Sequence, residues 1–297
     1  MEYFSEPYDS TTLVEGLQLR GLSVADEEAA RKFLDNVNYF RIHPYLRAVE
    51  ADHNAHRYRQ DCSFDMVADL YRFDCRLKII LFEAIQQIEV ALRARIIRVF
   101  SLLHGPFWFT DESLFSDKSA FFRTLGIIED TVDNSQEDYI RDHWLLYETT
   151  PFPPAWKTLE VLSFSTISFL YRNFTNNQAK KAVAREFGLP QHLFLESWIR
   201  SIAVLRNICA HHIRLWNRKF NIKPRLPRHL DHPWITRPCQ DINRLYPILT
   251  AVAYLTDRLH PASDFKRDLK ALIASHPSVN LSAMGFPQGW RDEPLWE

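Results

Sequence analysis

Glycine is scarce, with only seven in 297 residues. That excludes a Gly-rich phosphate cradle and argues against a fold built from strands and tight turns. Cysteine is equally sparse. Cys62, Cys75, Cys209 and Cys239 are scattered and form no CxxC pair, which fits reduced thiols in the cytoplasm better than a disulfide framework. No long apolar run escapes interruption by charge, so no transmembrane helix and no membrane partner is expected. The opening MEYFSEPYDS carries no apolar stretch of the kind a secretory leader needs. Net charge is nearly nil, at 36 Lys plus Arg against 37 Asp plus Glu. The totals therefore say nothing about a polyanionic partner.

What is abundant is apolar surface. Hydrophobic residues make up 46% of the chain and aromatic residues 13%, enough for a sizeable core and too much for a disordered chain. Most periodic segments read as helix. SVADEEAARKFLDNVNY begins with Ser23 and Asp26 in a capping-box arrangement. Residues 36–62 are irregular, rich in Tyr, His and Arg, and read as loop with short elements. The strongest signal follows: Leu70, Leu77, Leu81, Ala84, Ile88, Leu92, Ile96 and Val99 recur at helical spacing up to Gly105-Pro106. Further helices are expected around 117–147, from Pro153-Pro154 onward, in NNQAKKAVAREFG up to Gly188, through 190–218, and over roughly 240–259. The fold class expected is all-α: a helical bundle at 63–260, an N-terminal helical arm at 1–62 and a C-terminal helical appendage at 261–297.

Charge is uneven along the chain. Trp198 to Leu245 holds ten Lys or Arg and two Asp, a local electrostatic footprint suited to phosphates. On a helix over 198–218, Trp198, Ile202, Leu205, Cys209, Ile213 and Trp216 would share one core-facing side. Arg200, Asn207, His211, Arg214 and Arg218 would form a cationic ridge opposite. Asn207 and His211, four residues apart, would allow the amide to orient the imidazole. Arg206 lies at the border of the apolar stripe, with a stem long enough to reach the ridge. His212 points nearer the core and reads as mainly structural, with substrate contact the lesser reading. RNA brings its own nucleophile, the 2′-OH. Cleavage then needs only a base, an acid and a cation, and no metal or other cofactor. An imidazole can move the proton at neutral pH, and a guanidinium can clamp the phosphate. One ridge supplies a single histidine, so two copies face to face in a homodimer would complete the pair.

These residues carry a family resemblance. Arg206-Asn207-Ile208-Cys209-Ala210-His211 matches the R-N-x3-H form of the motif of HEPN domains, and the flanking AHHIRLWNR resembles the Abi-like abortive-infection family. LQLRGLSV, NVNYFRIHPYL, LYRFDCRLKIILFEAIQQIEVALRARI, PPAWKTLEVLSF and LESWIRSIAVLRNICAHH resemble that family's blocks in order, over residues 13–225. The resemblance implies a HEPN-type helical bundle and a metal-independent endoribonuclease of phage defence, working as a homodimer. It implies Arg206 and His211 as the catalytic pair, with Asn207 beside them. Arg200, His212, Arg214, Asn217 and Arg218 are then candidates for RNA contact. One departure is Ser165, where the family usually has glycine after the SF pair. A protein antitoxin or a regulatory small RNA as partner is compatible with this reading.

Other constellations have plainer readings. Cys209, His211, His212, His229, His232 and Cys239 match no standard zinc spacing, so no metal site is expected. Glu160 could meet Arg206 or serve a structural ion pair. Glu83 and Glu89 read as partners of Arg93 and Arg95 in helix pairs rather than as an acid–base dyad. The aromatic-plus-arginine stretches YRFDCR and NYFRIHPYL read as core rather than as RNA-stacking platforms. The basic segment NRKFNIKPRLPRHL, running straight on from the ridge, is the better candidate for backbone contacts. The alternative to an enzyme is a non-catalytic module binding RNA or protein, with Arg206 and His211 serving structure.

Overall fold

A computed structural model describes residues 7–147 and 149–297. Among these, the chain forms twelve α-helices and one two-stranded hairpin, confirming the all-α class. In order they are α1 (Ser10–Leu19), α2 (Glu27–Asn36), α3 (Tyr39–Leu46), β1 (Glu50–Asp52), β2 (Arg57–Tyr58), α4 (Phe64–His104), α5 (Lys118–Asp133), α6 (Asp138–Leu146), α7 (Ala155–Val161), α8 (Phe164–Asn173), α9 (Asn177–Glu186), α10 (His192–Ala210), α11 (Tyr246–Leu259) and α12 (Phe265–Ala274). None of the helices described is long and apolar enough to cross a membrane. The chain divides into two compact units. One holds the residues up to Leu77 together with Leu272–Val279, and the other holds Lys78–Ala271 together with Asn280–Glu297. The division falls inside α4, and residues 280–297 go with the larger unit.

In the smaller unit α1 and α2 start on aspartate caps. Asp9 accepts from Thr12 N at 2.7 Å and Asp26 from Ala29 N at 2.9 Å, filling donors that a helix start leaves open. Asp26 is thus the cap of α2 by itself, and Ser23 instead forms a bridge with Ser63. The irregular stretch 36–62 contains α3 and the β1–β2 hairpin. Its aromatics are core only in part: Tyr45 meets Tyr71 edge-on at 5.7 Å and its hydroxyl donates to buried Asp74 at 2.7 Å, whereas Phe40 is 78% exposed.

In the larger unit, Leu81, Ile85, Ile88, Leu92, Ile96 and Phe100 of α4 are wholly buried. Leu81, Ile88, Leu92 and Ile96 are members of the predicted stripe, while Ile85 and Phe100 join it and Val99 is only half-buried. Phe100 stacks on Phe174 at 4.1 Å and meets Trp108 at 5.0 Å. Helix α10 packs against α8, α9 and α11, with Trp198, Ile199, Ile202 and Leu205 at zero exposure. Gly188, at φ 70°, closes the α9 end, where a Cβ would come within 2.8 Å of the Tyr254 hydroxyl. The terminal segment carrying Trp290 and Trp296 is folded into this unit. Trp296 Nε1 donates to Tyr246 OH at 3.0 Å, and buried Glu293 accepts from Thr236 Oγ1 at 2.8 Å.

Several helix boundaries differ from expectation, among them the start of α11 at Tyr246 rather than at 240. The region 117–147 is two helices, α5 and α6. The PPAW segment gives α7 and α8, broken where Ser163 caps α8 by accepting from Thr166 N at 3.2 Å. The consequential difference is at α10, which ends at Ala210 rather than at 218.

Candidate functional site at the end of helix α10

The reason α10 stops is local. His212 takes the left-handed conformation, at φ 56°. Its N–H donates to Cys209 O at 3.1 Å, and Ile213 N–H donates to Ile208 O at 2.9 Å. These two bonds are the Schellman closure, which satisfies terminal carbonyls as the chain leaves the axis. Glycine usually occupies that position, because a Cβ costs about 1–2 kcal/mol there. From α4, buried Lys78 donates to His212 O at 3.5 Å, tying the turn down.

The wheel drawn through residue 218 therefore fails beyond Ala210. Arg200 and Asn207 remain on the helix, and His211 is its C-cap. Arg214 and Arg218 lie in the following turns and are half-buried. Ile213 is 41% exposed instead of core, while Trp216 is buried off the helix, its Nε1 donating to Asn280 O at 3.2 Å. Asn217, also left-handed at φ 54°, accepts from Arg244 Nη1 at 2.7 Å through its side chain. That bond gives Asn217 a structural task in this turn.

Arg206 leans against α4. Its Nε is 3.6 Å from Glu89 Oε2, and its guanidinium carbon lies 5.7 Å from the centre of the Phe82 ring. The Nε is buried without a hydrogen bond, so the Glu89 contact is Coulombic attraction only. The side chain as a whole stays 33% exposed. It opens on a cleft of about 300 Å³ lined by Phe82, Gln86, Glu89, Val90, Arg93 and itself. Glu89 is shared, because Arg93 Nη2 holds its other oxygen at 2.9 Å. Arg93 is a cross-link: it also donates to Glu160 O at 2.9 Å and Leu162 O at 3.0 Å. Glu160 thus pairs with Arg93, at 3.4 Å, and Glu89 is the carboxylate that meets Arg206.

Asn207 donates to Ser165 Oγ at 3.3 Å. The amide is turned to the start of α8. His211 is exposed, and its imidazole has no hydrogen bond or ion pair among the described residues. Within one chain, then, an accessible imidazole and a partly accessible guanidinium flank one helix terminus, and no bond joins them. Sequence reasoning missed Lys78, Phe82 and the role of Glu89 at Arg206, because all three sit more than a hundred residues away, on α4.

The remaining candidates are simpler. Cys209 is 4% exposed in the core. Burial pushes the Cys239 thiol up to about 12. Among the described residues no group of three His, Cys, Asp or Glu is placed to hold a metal.

A family model described as Abi-like protein matches residues 32–217. The chain belongs to the Abi-like family. That span begins in α2 and ends just past the α10 turn, so it takes in Arg206, His211 and the α4 face against Arg206. Membership supports a role in abortive infection, the defence of a cell population against phage. Comparison with curated proteins and with solved structures gives no match.

Proposed function

We propose that this Abi-like protein is a metal-independent endoribonuclease of the HEPN type, acting as a homodimer. The observation that carries the reading is the accessibility of His211 and Arg206 at one helix terminus, where an interior role would have sealed both. His211 takes the proton of the ribose 2′-OH. The O2′–P bond forms and the P–O5′ bond breaks, and the departing O5′ receives a proton from the other protomer's histidine. The products are a 2′,3′-cyclic phosphate and a 5′-hydroxyl. Arg206 offsets the charge that builds on the phosphate oxygens. Asn207, anchored by Ser165, leaves its amide oxygen for the substrate. His212, Arg214 and Arg218 line the strand's exit from the turn, and Arg200 its approach along α10.

The need for a second copy follows from the roles: one chain places one His211 on the Arg206 side of α10, and the second proton-handling group is the other copy's His211. The α4 face next to Arg206 supports such a pairing. Ile79, Phe82 and Val90 share one side of α4 and are 68%, 37% and 58% exposed, an apolar stripe of the kind interfaces cover. A protein antitoxin or small RNA that holds the activity in check belongs to the same proposal.

The test is cleavage of single-stranded RNA in EDTA by the parent and by His211→Ala. Loss of a proton-transfer group costs about 10²–10⁴-fold. Undiminished cleavage by the variant, or a parent that needs metal, refutes the mechanism. One observation favours a second reading. Arg206 already has partners in Glu89 and Phe82, as it would in a non-catalytic module that binds RNA or protein. That reading expects salt-sensitive RNA binding without turnover.

A further inference from the structure

A second cationic site lies on the larger unit, apart from Arg206. A cleft of about 340 Å³ is lined by Arg172 of α8, by Arg200, Glu196, Ser197 and Leu193 of α10, and by the segment 221–225 with Lys223 and Arg225. Four cations meet there, and none of them has an ion-pair partner among the described residues. The one carboxylate, Glu196, is already neutralised by buried Lys180 at 2.8 Å. Burial and the neighbouring Arg200 both push the Arg172 guanidinium below its usual value. Like charges gathered in this way repel. The fold nevertheless fixes them. Arg225 N–H donates to Ser197 Oγ at 2.9 Å, and its carbonyl accepts from Trp198 Nε1 at 2.7 Å, so both backbone groups of Arg225 are pinned to α10.

We infer that this cleft is a docking site for the phosphodiester backbone of a single RNA strand, a site separate from the cleavage centre. Its identity as an RNA site rests on the nuclease reading; its affinity for a phosphate backbone rests on the charges alone. Placement on α10 links the two. Arg200 and Asn207 are seven residues apart on α10, about 10 Å along the axis and within roughly 20° of each other around it, and His211 caps the helix one turn further on. A strand held at Arg172, Arg200, Lys223 and Arg225 can therefore run along one face of the helix to the imidazole, within the reach typical of single-strand sites.

The experiment is fluorescence anisotropy with a labelled 2′-O-methyl oligoribonucleotide, which lacks the nucleophile and so reports binding whether or not the protein cleaves. At about 0.7 of salt slope per phosphate on a single strand, Arg200→Gln with Arg225→Gln should lower the slope by about 1.4. At 0.1 M salt that is a loss of about 25-fold in affinity, and adding Lys223→Gln should cost about fivefold more. Arg123→Gln on exposed α5 is the control for general charge. A double variant within threefold of the parent, an unchanged slope, or a parent that does not bind the strand overturns the proposal. Displacement of the strand by inorganic phosphate at matched ionic strength also overturns it, since the cleft would then take a free anion. If the double variant loses binding and the parent cleaves no RNA, the docking site stands and the nuclease reading falls.

Discussion

Replacing Arg206 by glutamine separates a catalytic arginine from a structural one. Its attraction to Glu89 at 3.6 Å is worth about 1 kcal/mol in water and about 4–5 kcal/mol at an effective dielectric of 20. The lower end applies, because the side chain is one-third exposed and makes no hydrogen bond to the carboxylate. Contact with the Phe82 ring adds about 0.5–1 kcal/mol. Glu89 is not stranded by the change, since Arg93 still holds it at 2.9 Å. The total is about 2 kcal/mol, a fall in melting temperature of about 4–8 °C for a unit of this size. Against the usual 5–15 kcal/mol of stability, a loss of that order leaves the protein overwhelmingly folded at 25 °C. Removing a preorganised charge from the transition state, by contrast, costs about 10²–10³-fold in rate. Thermal melts and initial rates of RNA cleavage in EDTA, both on purified protein, measure the two quantities separately. Cleavage within about threefold of the parent refutes the reasoning, as does a melting loss large enough to account for the missing activity.

Two further outcomes follow from the α10 turn and from half-buried Cys239. At His212 the backbone is left-handed, so His212→Val should melt lower than His212→Gly by the equivalent of about 1–2 kcal/mol; equal melting temperatures would show that the turn relaxes on substitution. Cys239 should resist alkylation at pH 8.5, unlike a thiol near its ordinary value. The raised value also fixes a sign: above about pH 9 the unfolded chain loses this proton while the folded one keeps it to about 12, so stability falls with rising pH across that window. Denaturant midpoints at pH 8 and 10.5, in the parent and in Cys239→Ala, measure it; the same pH dependence in both would rule the thiol out as the cause.

The helical class was legible because burial here follows spacing. The α4 stripe from Leu81 to Phe100 recurs at the helical period, and Leu81, Ile85, Ile88, Leu92, Ile96 and Phe100 are buried along it. Capping was legible in part. Asp26 was recognised as a start signal, but Ser23 was not excluded from the box, because a cap depends on where the chain turns and not only on residue type. The end of α10 was not legible. RNICAHHIRLWNR has neither glycine nor proline, so nothing in its composition stops a helix. Local propensity allowed 218; the Schellman bonds at Ile208 and Cys209, and Lys78 reaching in from α4, stop it at Ala210.

The order of residues alone determined that this chain is helical, that Arg206, Asn207 and His211 fall within one short stretch, and that its positive charge concentrates after Trp198. Those are properties of neighbours along the chain, and periodicity and charge counting read them directly. The tertiary structure decided that Arg206 leans on Glu89 and Phe82, that Asn207 is taken up by Ser165, that His211 is left open at a helix terminus, and that Arg172 joins Arg200, Lys223 and Arg225 around one cleft. Each of these sets joins residues tens to more than a hundred positions apart or depends on where a helix breaks, and only the packing of one helix against another fixes such meetings.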